Sequence, residues 1–409
     1  MKIRPAVYLV PLVILGLAIA IGSSLLLRVF VLLAFVGAAG LLWTWLGLRG
    51  LRAEAGDVPE FCHAGDAFEE KLTVKNDSSL PKMLLRVEGT STLPGYRNAS
   101  ILNLPAHEGQ AWKSTVRCRR RGRYELGSVT FTAGDPFGLF TQKKLQGEPK
   151  RIMVYPQVAD LPHFRTSFSS LIDFGHGATG RRISQISPSA SSVREMMSGD
   201  SQEHIHWRST AHVGKLMVKV FDAEHSSDTT KDVWIVLDMQ REVHCSDGDE
   251  NSEDYGVNVA ASLAKKYLDD GMKVGLVASC SQACTYDPDY GNAHFMRMLE
   301  SLALMQADGT TPVEEIMGNP DRFSANSTVV VVTPQATEIV VNGIRHLKNY
   351  GNSVVGVFVD SSSFGGPLDP AQMANALGAI GAQVYVVSKG ESLAKALDSR
   401  IALWYSRYL

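Results

Sequence analysis

The sequence predicts three parts in series: an N-terminal transmembrane helical hairpin, an antiparallel β-sandwich and a doubly wound α/β domain. Three observations predict them. Two long charge-free apolar stretches open the chain, a region of period-two alternation follows, and the last part alternates continuous apolar runs with helix-period segments. The length of 409 residues leaves room for about two to three domains.

The hairpin occupies residues 1–50. Pro5 to Leu27 carries no charge, Val29 to Leu48 carries none either, and Arg28 alone separates them. At ~1.5 Å per residue each stretch is long enough for a hydrocarbon core of ~30 Å. A turn near Gly22-Ser23-Ser24 makes the two stretches antiparallel spans. A cleaved signal peptide is the competing reading, but the apolar region is too long for one and a second follows at once. Lys2 and Arg4 precede the first span, Arg49 and Arg52 follow the second, and the turn carries only Arg28. The positive-inside rule then predicts a multi-pass inner-membrane protein with both ends and the soluble remainder in the cytoplasm. Trp43 and Trp45 suit an interfacial belt, or packing between the spans. The five cysteines, an odd number, read as no disulfide scaffold and agree with a reducing compartment.

The β-sandwich is expected over residues 57–158. Phe68 to Lys75, Met83 to Val87, Trp112 to Cys118 and Val129 to Thr132 alternate apolar with polar. Turn signals at Asn76-Asp77-Ser78, Leu93-Pro94-Gly95 and Arg121-Gly122 separate them. Asp135-Pro136-Phe137-Gly138 reads as a tight turn. The five arginines between Arg117 and Arg123 read as a solvated face or turn, with an anionic lipid or acidic partner as the other possibility.

Residues 159–225 are expected to be linker and signature segment, because Ser, Gly, Arg and Thr dominate 160–192 without apolar period. From 226 to 409 the period changes. Strands are expected at Val233–Leu237, Lys273–Ala278, Thr328–Val332, Val354–Val359 and Gln383–Val387. Helices are expected at Val257–Leu268, Phe295–Met305, Ile339–Leu347, Ala371–Leu377 and Leu393–Leu397. Apolar strands alternating with helices imply a parallel sheet covered on both faces.

The stretch from Val193 to Glu224 contains Arg194, Gly199-Asp200, Ile205-His206-Trp207-Arg208, Ser209-Thr210-Ala211 and Leu216-Met217-Val218. It resembles the signature of a bacterial family known as domain of unknown function 58. Arg121-Gly122-x-Tyr124, Asp135-Pro136-Phe137-Gly138-Leu139-Phe140 and Val154-Tyr155-Pro156 resemble further parts of it. Ser201-Gln202-Glu203 and His212 stand where that family commonly has arginines. The resemblance covers nearly the whole chain. It implies that the α/β part is von Willebrand factor A-like. It also implies an accessory or adaptor role, since such chains are often encoded beside a MoxR-type AAA+ ATPase.

A von Willebrand A domain typically holds Mg²⁺ with Asp-x-Ser-x-Ser after its first strand, a donor set that suits a hard cation. Here Asp238 matches, while Gln240 and Glu242 replace both serines, and Thr333-Pro334-Gln335 lacks the later acid. Asp238 is therefore expected to cap the next turn or to contribute to a contact surface at the sheet edge. The acidic run 247–254 begins like a calcium loop but has Ser252 and Asn258 where that motif needs glycine and glutamate, so it reads as a solvated loop. His204 and His206 share a face without visible zinc partners, and His206 with Trp207 reads as a packing pair. His244, Cys245, Cys280 and Cys284 fall near the ends of the first two α/β strands, where convergence on zinc is the alternative to ordinary buried thiols.

No nucleophile elbow, phosphate loop or zinc-protease motif occurs in the sequence. The formal charge of −2 gives no support to a general nucleic-acid binder, which should carry a strong basic excess. The expectation is a membrane-embedded, non-enzymatic adaptor with a protein partner of the MoxR-type AAA+ class, and with neither cofactor nor metal. Arg194, Asp200, His206, Trp207, Arg208 and Asp238 are its candidate binding residues. A metal-dependent hydrolase and an outward-facing envelope structural protein are the rival readings.

Overall fold

The computed structural model describes residues 2–3, 5–164, 192–195, 210, 215–220, 232–248, 250–281, 284–319, 322–324, 326–366 and 382–398. The bulk of the expected linker and the expected helix Ala371–Leu377 lie outside these residues. Two compact units result. The first is Met1–Val158 with Val257–Ser262 and Ala293–Gln306; the second is Ala159–Gly256, Leu263–Asn292 and Ala307–Leu409.

The first unit opens with β1 (Lys2–Ile3), α1 (Ala6–Ile21) and α2 (Ser24–Gly47). The two helices pack against each other. Gly22 sits at φ 67°, the left-handed conformation that glycine adopts without a Cβ penalty, and ends α1 at the expected turn. Leu12, Ile19, Leu32 and Phe35 are each more than 60% exposed, a surface that a body in water would not leave bare. α2, with 24 residues and a mean hydropathy of 2.5, is long and apolar enough to cross a membrane. α1 has 16 residues, about 24 Å, because Pro5 and Gly22 trim the apolar stretch at both ends. Of the two transmembrane helices expected in residues 1–50, one is long and apolar enough to cross and the other is a shorter apolar helix.

Nine strands follow: β2 (Leu51–Ala55), β3 (Phe61–His63), β4 (Ala67–Asn76), β5 (Lys82–Ser91), β6 (Ala99–Leu104), β7 (Gly109–Arg117), β8 (Gly122–Gly134), β9 (Phe140–Gln146) and β10 (Lys150–Tyr155). β2, β4 and β7 form one sheet; β1, β9, β8, β10 and β3, with β5 and β6 attached through β8, form the other. Alternation works as expected in β4, where Glu70, Leu72, Val74 and Asn76 are buried and Glu69, Lys71 and Lys75 face water. Leu51, Leu72 and Val74 from the smaller sheet share a core with Leu85, Val87, Leu102, Leu104, Val129 and Phe131 from the larger.

Two expectations fail here. The larger sheet is mixed, because β3 runs parallel to β10 with Phe61 opposite Met153 and His63 opposite Tyr155. A three-residue strand carries too little pattern to declare its partner. Further, Cys62 of β3 and Cys118, just beyond β7, form a disulfide that ties the two sheets together. The odd cysteine count concealed this pair; Cys245, Cys280 and Cys284 are not disulfide-bonded.

A polar cluster lies inside this core. Glu70 is fully buried, and its Oε2 accepts from Tyr96 Oη and from Asn98 Nδ2, both at 2.7 Å. Asn98 Oδ1 accepts from Trp112 Nε1 at 2.8 Å. Burial, then the Glu70 contact, pushes the Tyr96 phenol well above its usual range. Arg121 departs from the solvated face expected for the arginine run. It is 9% exposed, with Nε donating to Leu302 O (3.1 Å) and Nη2 to Met305 O (2.8 Å), within the stretch Ala293–Gln306 of this unit. These are carbonyls at the end of the helix Asn292–Leu304, where a cation is favoured.

In the second unit, β11 (Ser192–Glu195) and β12 (Met217–Val220) form an antiparallel pair. Then come β13 (Val233–Leu237), a short hairpin of β14 (Ser246–Asp247) and β15 (Glu250–Asn251), and α3 (Ser252–Asp269). β16 (Val274–Ala278), β17 (Cys284–Asp289), α4 (Asn292–Leu304), α5 (Val313–Met317), β18 (Thr328–Thr333) and α6 (Glu338–Asn349) follow. The last elements are β19 (Ser353–Val359), β20 (Gln383–Val387) and α7 (Leu393–Ala396). The principal sheet has the order β17-β16-β13-β18-β19-β20. All its pairings are parallel except β16–β17. The edge strand β17 escaped the sequence reading because Cys-Thr-Tyr-Asp-Pro-Asp alternates in burial without being apolar.

Both faces of this sheet are covered, which is why its strands read as uninterrupted apolar runs. Trp234, Val236, Val329 and Val331 pack with Val313, Met317, Val340 and Ile344 of α5 and α6. On the opposite face, Gly256 of α3 approaches Leu237 and Val332.

Candidate functional site

Each of the five parallel strands ends in a polar residue. Asp238 follows β13, Ser279 follows β16, Thr333 closes β18, Asp360 follows β19 and Ser388 follows β20. Together they line the carboxyl edge of the sheet, the edge at which open α/β sheets bind ligands. The order reverses between β13 and β18, so Asp238 and Thr333 flank the switch point.

Asp238 is fully buried. Its Oδ2 accepts from Thr333 Oγ1 (2.7 Å) and from Gln335 Nε2 (3.3 Å). Its Oδ1 accepts from the Gln240 backbone N–H (3.1 Å) and from Ser279 Oγ (3.3 Å). Ser279 Oγ in turn accepts from Met239 N at 2.7 Å, and Gln335 Nε2 also reaches Gln240 Oε1 at 3.2 Å. Gln240, where a metal-binding pattern would place a serine, and Gln335, in the stretch that lacks the later acid, are thus joined to each other and to Asp238. Four neutral donors surround the carboxylate, and it caps the following turn through Gln240. Among the described residues there is no group of three His, Cys, Asp or Glu placed to hold a metal ion.

The remaining candidates are dispersed. His244 Nε2 donates to Asp238 O (3.0 Å), since a carbonyl can only accept, and Nδ1 then accepts from Ser252 Oγ (3.1 Å). Both ring nitrogens are thereby occupied. The hydrogen bond to Cys284, then burial, pushes the Cys280 thiol well above its usual range. The 247–254 run is divided between the paired strands β14 and β15 and the first turn of α3. Lys389 Nζ lies 2.8 Å from Asp247 and holds that carboxyl below its usual range, and Asn251 Oδ1 caps α3 by accepting from Asp254 N at 2.6 Å. Asp360 takes Ser362 N (3.1 Å) on Oδ1 and Ser388 Oγ (3.2 Å) on Oδ2.

Arg194 falls within β11, whose backbone pairs Arg194 with Val218 of β12. Asp200, His206, Trp207 and Arg208 lie outside the described residues. Of the six predicted binding residues, Asp238 is the one whose surroundings are visible. Sequence reasoning missed Ser279, Asp360 and Ser388. Their signal was available: in every case a lone Asp, Ser or Thr directly follows or closes an apolar strand.

Residues 192–359 match the family described as Protein of unknown function DUF58. The signature read from Val193 to Glu224 lies within that match. A relative from Bacillus subtilis (strain 168), named Uncharacterized protein YeaD, is 27% identical over 350 residues, covering 81% of this chain and 80% of its own. Solved structures overlap at low levels. The C-terminal domain of wzt gives a TM-score of 0.21 at 10% identity over 26% of this chain and 73% of its own. The CARDB domain of PF1109 from Pyrococcus furiosus gives 0.20 at 13% over 25% and 91%. A β-glucosidase from Listeria innocua gives 0.18 at 10% over 25% of this chain and 16% of its own, so that match spans a small part of the glucosidase. Overlaps of this size decide neither fold nor function.

Proposed function

We propose that this chain is a membrane-anchored, non-enzymatic adaptor or scaffold that acts with a MoxR-type AAA+ ATPase from the cytoplasmic face. The observation that carries the reading is the continuity of an apolar helix with a folded body. α2 leaves most of its length bare, yet Thr44 is fully buried and Leu48 enters the two-sheet core. Such a joint suits a protein that presents surfaces at a membrane. In this reading residues 57–158 are a β-sandwich domain, 159–225 a linker and signature segment, and 226–409 a von Willebrand factor A-like domain. The sheet order and the antiparallel β17 support the last assignment. Both helices of the hairpin enter the bilayer. The neutral donors around Asp238 support a polar contact edge rather than a reaction centre. Arg194, Asp200, His206, Trp207 and Arg208 are the further binding residues, and the class of partner comes from the family resemblance.

The test is co-purification. Detergent-solubilised full chain and a MoxR-type AAA+ ATPase from the same organism are expected to be retained together in an ATP-analogue state, an ADP state or both. Loss of retention in both states overturns the adaptor reading.

A second reading, an outward-facing envelope protein, is favoured by the Cys62–Cys118 disulfide, since such bonds persist in oxidising compartments. Protease added to intact spheroplasts separates the two. Protection of the folded body supports the cytoplasmic reading, and cleavage supports the outward one.

A further inference from the structure

The folded body begins before the apolar helix ends. A Cβ at Gly40 would lie 3.1 Å from the Phe140 ring and 3.6 Å from Asp135 Cβ, and one at Gly47 would lie 3.1 Å from Ala133 Cβ. One side of the last two turns of α2 is therefore packed on the first unit. The other side is still apolar and open: Leu42 is 57% exposed, Trp43 47% and Trp45 52%. The start of the chain returns to the same level, because β1 pairs with β9, Ile3 opposite Phe140. Taking α2 only as far as Ala39 leaves a projecting length of about 24 Å, matching α1 and short of the ~30 Å hydrocarbon core. A bilayer that covers the open side of Leu42 and Trp43 must also reach the body beside them.

The rim of the body at that level is itself apolar. Phe137 is 67% exposed at the tip of the β8–β9 turn, Met83 62% and Leu84 70% at the start of β5. The register that places Arg86 opposite Thr132 carries Met83 and Leu84 toward Gly134 and Asp135, the base of that turn. Trp43, Leu46, Leu80 and Met83 line one apolar cleft. Asp135 fixes the turn: Oδ1 accepts from Phe140 N (2.6 Å) and Oδ2 from Phe137 N (3.0 Å), which holds Phe140 inward and leaves Phe137 outward. Lys82, nearby, is drawn inward instead; its Nζ donates to Leu46 O (2.6 Å) at the end of α2, and burial pushes its ammonium below the usual lysine range.

We propose that this rim is a second membrane contact, in which Phe137, Met83 and Leu84 sit at the boundary between lipid headgroups and acyl chains. The occupant is the bilayer itself, because the rim continues the surface of a helix whose own length requires lipid at that height. The shortfall in projecting length is met by drawing the body onto the membrane. The segment Asp135–Phe140 then has a mechanical role, clamping α2 with one aromatic residue and entering lipid with the other. This proposal rests on the reading of α1 and α2 as a membrane anchor.

The test uses full-length protein in phosphatidylcholine–phosphatidylglycerol vesicles, with Cys245, Cys280 and Cys284 replaced by serine. An environment-sensitive fluorophore is attached through Phe137→Cys, Met83→Cys, Leu32→Cys or Ile101→Cys, each checked for a monodisperse elution profile. Labels at 137 and 83 are expected to shift to the blue and to be quenched by lipids carrying a nitroxide near the headgroup. The label at 101, on the outer face of β6, should be quenched by neither lipid; the label at 32 should respond to a nitroxide deep in the chain. Quenching at 32 without quenching at 137 and 83 overturns the rim proposal and leaves the anchor standing. Absence of quenching at all four positions overturns both.

Discussion

Replacing Asp238 by alanine is expected to destabilise the second unit by about 3 kcal/mol. The carboxylate receives four donors, and Thr333 and Ser279 are themselves 0% and 2% exposed. Leaving a buried donor without an acceptor costs about 1–3 kcal/mol, and the total falls short of four such losses because the two hydroxyls can rotate to new acceptors. Asp238→Asn keeps Oδ1 for Gln240 N and Ser279. It sets an amide nitrogen against Gln335 Nε2, so its cost is smaller, about 1 kcal/mol. Denaturant unfolding of the full chain in detergent, followed by circular dichroism, measures both. An alanine variant within about 0.5 kcal/mol of the parent would show that the cluster does not hold the edge together. The same protein provides a check on metal chemistry. A ligand that binds the native state raises the midpoint by mass action. With the carboxylate saturated by neutral donors, Mg²⁺ and EDTA are expected to leave the midpoint unchanged.

Glu70→Ala is expected to cost the first unit about 3 kcal/mol. It removes the acceptor of both Tyr96 Oη and Asn98 Nδ2 in a fully buried setting, and Asn98 in turn positions Trp112. The conservative change behaves differently. Both donors converge on Oε2, so a glutamine carbonyl can receive them, and the amide nitrogen then takes the place of Oε1, a buried atom without a hydrogen-bond partner among the described residues. Glu70→Gln should therefore cost about 1 kcal/mol. Thermal unfolding of the detergent-solubilised chain distinguishes the variants. Equal losses for alanine and glutamine would mean that charge, rather than the shared acceptor, is what the cluster needs.

Much of the architecture was legible along the chain because the signals are local. Charge-free runs of leucine, valine and alanine announce helices that need lipid or burial, and Gly22 announces the break between them. Phe68 to Lys75 alternates because one side of β4 faces a core, and Val329 to Val332 does not alternate because both faces of β18 are covered. Even the polar edge was written in the residue after each apolar strand. What local pattern could not decide was every feature that depends on distant chain closing on itself. The parallel pairing of β3 with β10 joins residues about ninety apart, as Phe61 and Met153 show. Cys62 finds Cys118, Arg121 finds Leu302, and Lys82 finds the end of α2, each across a separation that carries no periodic trace. A helix of adequate hydropathy looks the same whether or not a sheet covers its last two turns. Composition and period therefore determined the apolar helices and strands and which of their faces avoid water, but not the polar edge strand β17. The packing of the last turns of α2 on the sheets, and the partners of the buried charges, were decided by tertiary packing, because only there do side chains far apart in sequence compete for the same space and the same hydrogen-bond acceptors.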